Sequence, residues 1–430
     1  MPPASARSRL RLIPILLAQA FGIGCGVAGV KLNSTLVPPE ALGVYGVFLT
    51  FAPVGAWVVH AGLVKFVVRH WAGAAARPVL LRGVIIGWAK RLPWLGLAAI
   101  AGAFALPQAQ TGGTLLLGLV LFGAAALLAW VALAQAALQA EGAHWRDCFV
   151  SVYASLTRTF LPLLLFTLSG GTLAALWLGF GGHALITAIA AAWVLRAHWA
   201  GDESANVARA PLTGAYGGPL FIALAAATWV LAGLNRWIVA AFFGATEAGY
   251  FTLAGGAAVV LVSALGAVFV QYFQPGIFAL GDAIATADGE RALVARRVDQ
   301  VALAFAGTGL ASVGALALAS RWLVGPLISE KYFAALPWIF PAGCFGVATI
   351  TTVFYHSLLL AGRREAACAP VELTTAVVLI VGCLGSAAAS AEWFARWLML
   401  TPLLPWLLTR PLARGYFFTP GAGAASAPAR

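Results

Sequence analysis

Residues Leu115 to Ala134 read LLLGLVLFGAAALLAWVALA. The run is apolar from end to end. As an α-helix it rises about 1.5 Å per residue, and about 20 such residues cross a hydrocarbon core of about 30 Å. A strand of a membrane barrel would instead alternate apolar and polar side chains over about ten residues. No alternation is present here, nor in Ala240 to Val270, which is rich in Ala, Leu, Val and Gly. This stretch is a membrane-spanning helix, and the rest of the chain repeats its pattern.

The composition agrees. Of 430 residues, 62% are hydrophobic and 9% charged, and the mean hydropathy is +0.92. Soluble domains carry roughly 25% charged residues. A water-soluble fold of this composition would expose large apolar patches. The 48 glycines suit helices that approach closely in lipid. The apolar runs place spans at residues 12–32, 43–63, 88–107, 114–138, 148–169 and 172–195. Six more fall at 216–242, 247–275, 298–319, 335–360, 369–388 and 394–410. The expected fold is therefore all-α and polytopic, with about 12 transmembrane helices. The expected organisation is a cytoplasmic segment 1–11, a six-helix bundle 12–196, a cytoplasmic linker 197–211, a second six-helix bundle 212–414 and a flexible tail 415–430.

Charge sets the orientation. The net charge is +12. In a membrane protein such an excess flanks cytoplasmic span ends and calls for no nucleic acid. With the N-terminus inside, twenty of the 26 basic residues fall on the inner side. Lys31, Arg321, Lys331 and Arg396 fall outside, and Arg158 and Arg236 lie within spans. This places both termini in the cytoplasm. Arg7, Arg9 and Arg11 precede an apolar run longer than a signal-peptide core, so the first span is expected to be retained. Cys25, Cys148, Cys344, Cys368 and Cys383 show no paired metal spacing and read as small packing residues. Neither metal nor cofactor is expected.

A weak internal repeat relates the halves. Glu40-Ala-Leu-Gly-Val-Tyr45 opens the second span and Thr246-Glu-Ala-Gly-Tyr250 opens the eighth. The offset is close to half the chain, as in transporters built from parallel repeats. More specific strings accompany it: Val37-Pro-Pro-Glu-Ala-Leu-Gly-Val-Tyr-Gly-Val-Phe48, continuing at His60-Ala-Gly-Leu-Val-Lys-Phe-Val-Val-Arg69; Asn235-Arg-Trp-Ile-Val-Ala-Ala-Phe-Phe-Gly244, followed by Ala248-Gly-Tyr250; and Ser329-Glu-Lys-Tyr-Phe333, followed by Ala361-Gly-Arg-Arg364. Together these resemble Wzx-type flippases of the MOP (MATE-like) exporter superfamily. One residue departs from that pattern. Asn235 stands where the usual Asp-Arg pair has its acid, which puts an ion-coupling role there in doubt.

The resemblance implies two six-helix bundles around a central cavity in the bacterial inner membrane. It implies transport, by alternating access, of an undecaprenyl-pyrophosphate-linked oligosaccharide for O-antigen, lipopolysaccharide or other surface polysaccharide biosynthesis. The expected chain is a monomer and not an enzyme. Its partners would be the lipid-linked glycan, membrane lipids and, as a candidate, the polysaccharide polymerase and assembly machinery.

The residues suggest how such cargo could be held. A bare pyrophosphate taken into hydrocarbon costs tens of kcal/mol by Born estimates, so a flippase needs a hydrated, cationic path. Arg donates two parallel bonds to phosphate. Arg236 and Arg158 lie within spans, where Arg is costly and usually functional or paired. Lys65 and Arg69, four apart on one helix face, are candidates for an inner gate, or are ordinary flanking charges. Asn235, His60, Glu247 and Asp147 are candidates for coupling or a polar relay. His183, His356, Glu141 and Glu372 are weaker ones. Glu40 and Glu247 also suit helix N-termini, where an acid favours the dipole.

Two rivals remain. A multidrug exporter of the same superfamily would want intramembrane acids for cations, and the spans here carry more basic residues than carboxylates. A polysaccharide polymerase or ligase would want a substantial outer loop with charged residues, and no loop here is long enough to form a domain.

Overall fold

The computed structural model describes residues 6–60, 62–71, 77–105, 114–196, 219–284, 288–362 and 365–418. Among these residues there is no strand. The helices are α1 (Ala6–Leu36), α2 (Pro39–His60), α3 (Leu63–His70), α4 (Arg77–Ala89), α5 (Leu92–Ala105), α6 (Thr114–Glu141), α7 (His144–Leu168) and α8 (Leu173–Leu195). Then follow α9 (Pro219–Ile284), α10 (Asp288–Leu318), α11 (Ser320–Leu323), α12 (Ile339–Ala361), α13 (Glu365–Ala389), α14 (Ala391–Leu400) and α15 (Arg410–Phe418). The chain is an all-α, multi-pass membrane protein. Large apolar side chains stand exposed along its helices, among them Leu97, Leu119, Ile189, Leu303 and Val381. Only lipid makes such a surface stable.

Nine described segments are long and apolar enough to cross a membrane. Four of the spans read off the sequence differ in detail. The expected spans at 216–242 and 247–275 are two limbs of α9, joined at Gly244 with φ 89° and ψ 174°. Glycine alone adopts that conformation without cost. The expected span at 88–107 is interrupted. Helix α4 ends at Ala89, and α5 begins at Leu92 with Pro93 in its first turn, where proline is tolerated. The Arg91 guanidinium fastens the break by donating Nη1 to the Val59 carbonyl at 2.8 Å. The last expected span, 394–410, is broken by Pro402 and Pro405 into α14, a 3₁₀ turn at Thr401–Leu403 and a π turn at Pro405–Thr409. Helix α15 then runs to Phe418, past the start expected for the tail.

The chain divides into two units, Met1–Trp229 and Val230–Arg430. In the first, α7 packs on α1 and α8, and α6 packs on α2, α3, α5 and α8. Glycine permits the closest of these approaches. A Cβ on Gly179 of α8 would fall within the backbone of Pro162 in α7. In lipid, where burying apolar surface gives helices no advantage, such backbone proximity and its dispersion contacts hold the pair together. Leu63, Phe66 and Val67 of the short α3 are buried against Val131, Ala134 and Leu138 of α6. In the second unit α12 is central. It packs on α10, α13, α14 and α15, and Gly346 lies against Val259 and Val262 of α9. All five cysteines are free and buried.

Candidate functional site

Helix α7 has two faces. Phe149, Tyr153, Leu156, Phe160 and Leu164 form an exposed apolar stripe. At about 100° per residue, Asp147, Ser151, Ser155 and Arg158 fall on the other side. Arg158 is itself exposed there, in the middle of the helix. No carboxylate pairs with it among the described residues. Two elements bring polar groups up to it. Tyr45 of α2 and His183 of α8 both lie within its electrostatic reach. The Thr157 hydroxyl donates to the Tyr153 carbonyl at 2.7 Å and meets His183 Nδ1 at 2.9 Å. Thr187 donates to the His183 carbonyl at 2.9 Å.

Pro162 adds a local opening. Proline has no N–H, so the carbonyl of Arg158, four residues earlier, loses its helical donor. A guanidinium and a freed carbonyl therefore sit at one level of α7.

The polar face continues along α7. Gln135 Nε2 of α6 donates to Ser151 Oγ at 3.0 Å, and Gln139 Nε2 donates to Asp147 Oδ2 at 3.0 Å. Asp147 is only 7% exposed, and its Oδ1 has no hydrogen-bond partner among the described residues. Asp147 is eleven residues from Arg158, about 16 Å along the axis. The two are parts of one face but do not meet.

The other candidates of the first unit lie elsewhere. His60 closes α2, just before Gly62 turns the chain with φ 75°. Lys65 and Arg69 follow it, beyond the end of the second span. They belong to α3, at positions opposite Leu63, Phe66 and Val67; their side chains lie outside the described residues.

In the second unit Arg236 is half-buried. Its Nη2 lies 3.8 Å from the point a Cβ on Gly255 would occupy, so the side chain reaches across to the second limb of α9. Asn235 is buried, and its Oδ1 accepts the Arg236 backbone N–H at 2.8 Å. Glu247 accepts from Trp338 Nε1 at 3.2 Å, which ties α9 to the start of α12.

The sequence reading missed one cluster. Asp299 of α10 accepts from Arg410 Nε at 3.1 Å and from Nη2 at 3.0 Å, with Arg414 Nη1 at 3.6 Å and Tyr355 Oη at 3.3 Å. The bidentate geometry is the strong form of an Arg–carboxylate pair. The spacing of Arg410 and Arg414, one turn apart, was the only sequence signal for it. In the same unit His356 and Glu372, read separately from the sequence, come together across α12 and α13.

Solved structures share this architecture. An outward-facing multidrug resistance MATE family transporter of the MOP superfamily aligns with a TM-score of 0.58 at 16% identity. The alignment covers 95% of this chain and 94% of that one. The fold is that of the MATE transporters. A variant of the Vibrio cholerae MATE transporter VcmN aligns with a TM-score of 0.59 at 14% identity over 95% of this chain and 97% of that one. A MOP superfamily transporter from Pyrococcus furiosus, described as having a binding pocket of reversed polarity, aligns with a TM-score of 0.56 at 14% identity over 95% and 93%. The sequence matches no protein-family model and no curated protein. At these identities the likeness in fold says nothing of the cargo.

Proposed function

We propose that this protein is a flippase that moves an undecaprenyl-pyrophosphate-linked oligosaccharide across the bacterial inner membrane, by alternating access, for surface polysaccharide assembly. The observation that carries the reading is Arg158: a mid-membrane guanidinium, exposed on the polar face of α7, with no carboxylate paired to it among the described residues. A pyrophosphate is what such a group binds best. The backbone carbonyl freed by Pro162 at the same level offers a partner to sugar hydroxyls. Arg236, in the second unit, is a further cation proposed to act on the cargo. Lys65 and Arg69 of α3 are the basic pair assigned to first capture, with both termini on the cytoplasmic side. The description of the Pyrococcus furiosus relative supports the reading, since it shows that pocket polarity varies on this fold.

Multidrug export is the second reading, favoured by the likeness to a multidrug resistance transporter and by the buried acid Asp147. One experiment separates the two. Deleting the gene should abolish surface glycan and cause the lipid-linked precursor to accumulate in the cytoplasmic leaflet, with resistance to cationic drugs unchanged. Unchanged glycan with increased drug sensitivity would replace the flippase reading with the exporter.

A further inference from the structure

Asp299 meets more positive charge than it can neutralise. Arg410 engages both carboxylate oxygens, with Nε on Oδ1 at 3.1 Å and Nη2 on Oδ2 at 3.0 Å. Tyr355 Oη donates to Oδ1 at 3.3 Å. Arg414 is left with the poorer contact. Its Nη1 stands 3.6 Å from Oδ2, in ion-pair range but too far for a hydrogen bond. Its Nε is shut off from solvent with no hydrogen-bond partner among the described residues. Glu372 lies against His356 and Glu392 against Arg396, and among the described residues no second carboxylate pairs with Arg410 or Arg414. One carboxylate therefore faces two guanidiniums, an excess of one positive charge. Arg296, three residues before Asp299 and so on the same face of α10, is exposed and adds a third guanidinium.

The cluster stands near the depth of lipid head groups. Tyr355 is six residues from the end of α12, about 9 Å along its axis. Arg410 opens α15. That helix lays one face on the unit. Ala413 and Phe417 are buried, and Phe417 rests on Gly362 at the end of α12, where a Cβ would come within 2.6 Å of its ring. Arg410 and Arg414 share this face at helical spacing. Tyr416 and Phe418 are exposed, as aromatic residues at a membrane–water boundary are. The guanidiniums are open as well: the side chains of Arg410 and Arg414 are 38% and 35% exposed. Leu303, one turn beyond Asp299 on α10, is exposed and apolar, so the site continues into lipid-facing surface.

We propose that Arg296, Arg410 and Arg414 bind a phosphate group carried by the head of an anionic membrane lipid, and that this lipid fastens α15 to α10. The planar fork of Arg suits any phosphate. The position selects the lipid, because basic pockets between membrane helices take anionic head groups and Leu303 offers a bed for an acyl chain. The inference involves neither Arg158 nor Arg236 and does not rest on the flippase reading.

The test titrates the full chain, in a neutral detergent, with phosphatidylglycerol and counts bound lipid by native mass spectrometry. Affinity for the first lipid should fall on the order of tenfold in Arg414→Gln, which loses a charge-assisted bond. It should fall about fivefold in Arg296→Gln, which loses one nearby cation. Arg296 is exposed, so its variant keeps the test open even if Arg414→Gln does not fold. Arg321→Gln, past the far end of α10, should bind as wild type does. In nanodiscs, replacing phosphatidylcholine by phosphatidylglycerol should raise the melting temperature of wild type and not of Arg414→Gln. Unchanged affinity in both Arg296→Gln and Arg414→Gln overturns the site. An equal loss in Arg321→Gln also overturns it, by reducing it to general surface charge. Equal lipid stabilisation of wild type and Arg414→Gln overturns the fastening of α15. Millimolar inorganic phosphate that displaces the lipid, and stabilises the protein in phosphatidylcholine, overturns the lipid source and gives the site to a soluble anion.

Discussion

Arg158→Gln is expected to slow translocation of the lipid-linked glycan by at least about a hundredfold while leaving the protein folded. The variant loses two charge-assisted bonds to the pyrophosphate, each contributing roughly 1.5–3 kcal/mol. The lower sum already exceeds two factors of ten at about 1.4 kcal/mol each. The fold should survive because no carboxylate is left behind: Arg158 has none paired to it among the described residues, and the side chain is exposed. Arg158→Lys keeps the charge but not the planar fork, so it should recover only part of the rate. The measurement is flipping of a fluorescent lipid-linked glycan in proteoliposomes, with scanning fluorimetry as the check on folding. A wild-type rate in Arg158→Gln would remove the head-group role from this residue. Loss of rate together with a fall in melting temperature would reassign it to structure.

The second large effect is on stability. Gly179→Ala should lower the apparent melting temperature of the purified protein by roughly 3 °C, from a cost of about 3 kcal/mol at the upper end of overpacking spread over a long chain. The reason is what the new methyl meets. At Gly179 it meets the backbone of Pro162 and, at 3.0 Å, the Leu161 carbonyl, neither of which can turn aside. At Gly182, one turn on, it meets only Leu161 Cδ2 at 3.0 Å, the end of a flexible side chain. Gly182→Ala should therefore cost much less. If the two variants melt together, the close approach of α7 and α8 is not what holds this pair. The same contact bears on transport, because Pro162 frees the carbonyl of Arg158. Moving α7 away from α8 would displace the cation as well.

The two results mark what could be read in advance. Leu115 to Ala134 announced a span because lipid demands length and apolarity, both visible in a string of residues. The faces of α7 were legible too: Phe149, Tyr153, Leu156, Phe160 and Leu164 recur at helical spacing, and Arg158 falls opposite them. Other features were hidden for physical reasons. Hydropathy sums over a window and does not see a two-residue break, so the turn before Pro93 and the proline-broken end of the chain read as continuous spans. Helices α12 and α13 are apolar nearly all round, so no periodicity reported which side of one faces the other. His356 and Glu372 therefore looked like separate polar exceptions until the packing joined them. Asp299 was lost among flanking charges because its partners, Arg410 and Arg414, are more than a hundred residues away.

The burial of the five cysteines has a practical side. A thiol sealed inside a helix bundle is inert toward a bulky, water-soluble maleimide, since the reaction needs an accessible thiolate. A single cysteine introduced on an exposed loop can therefore be tagged selectively in the otherwise native chain. Side-by-side tagging from the two faces of the membrane would then fix the sidedness of every loop without first stripping Cys25, Cys148, Cys344, Cys368 and Cys383 from the positions they fill.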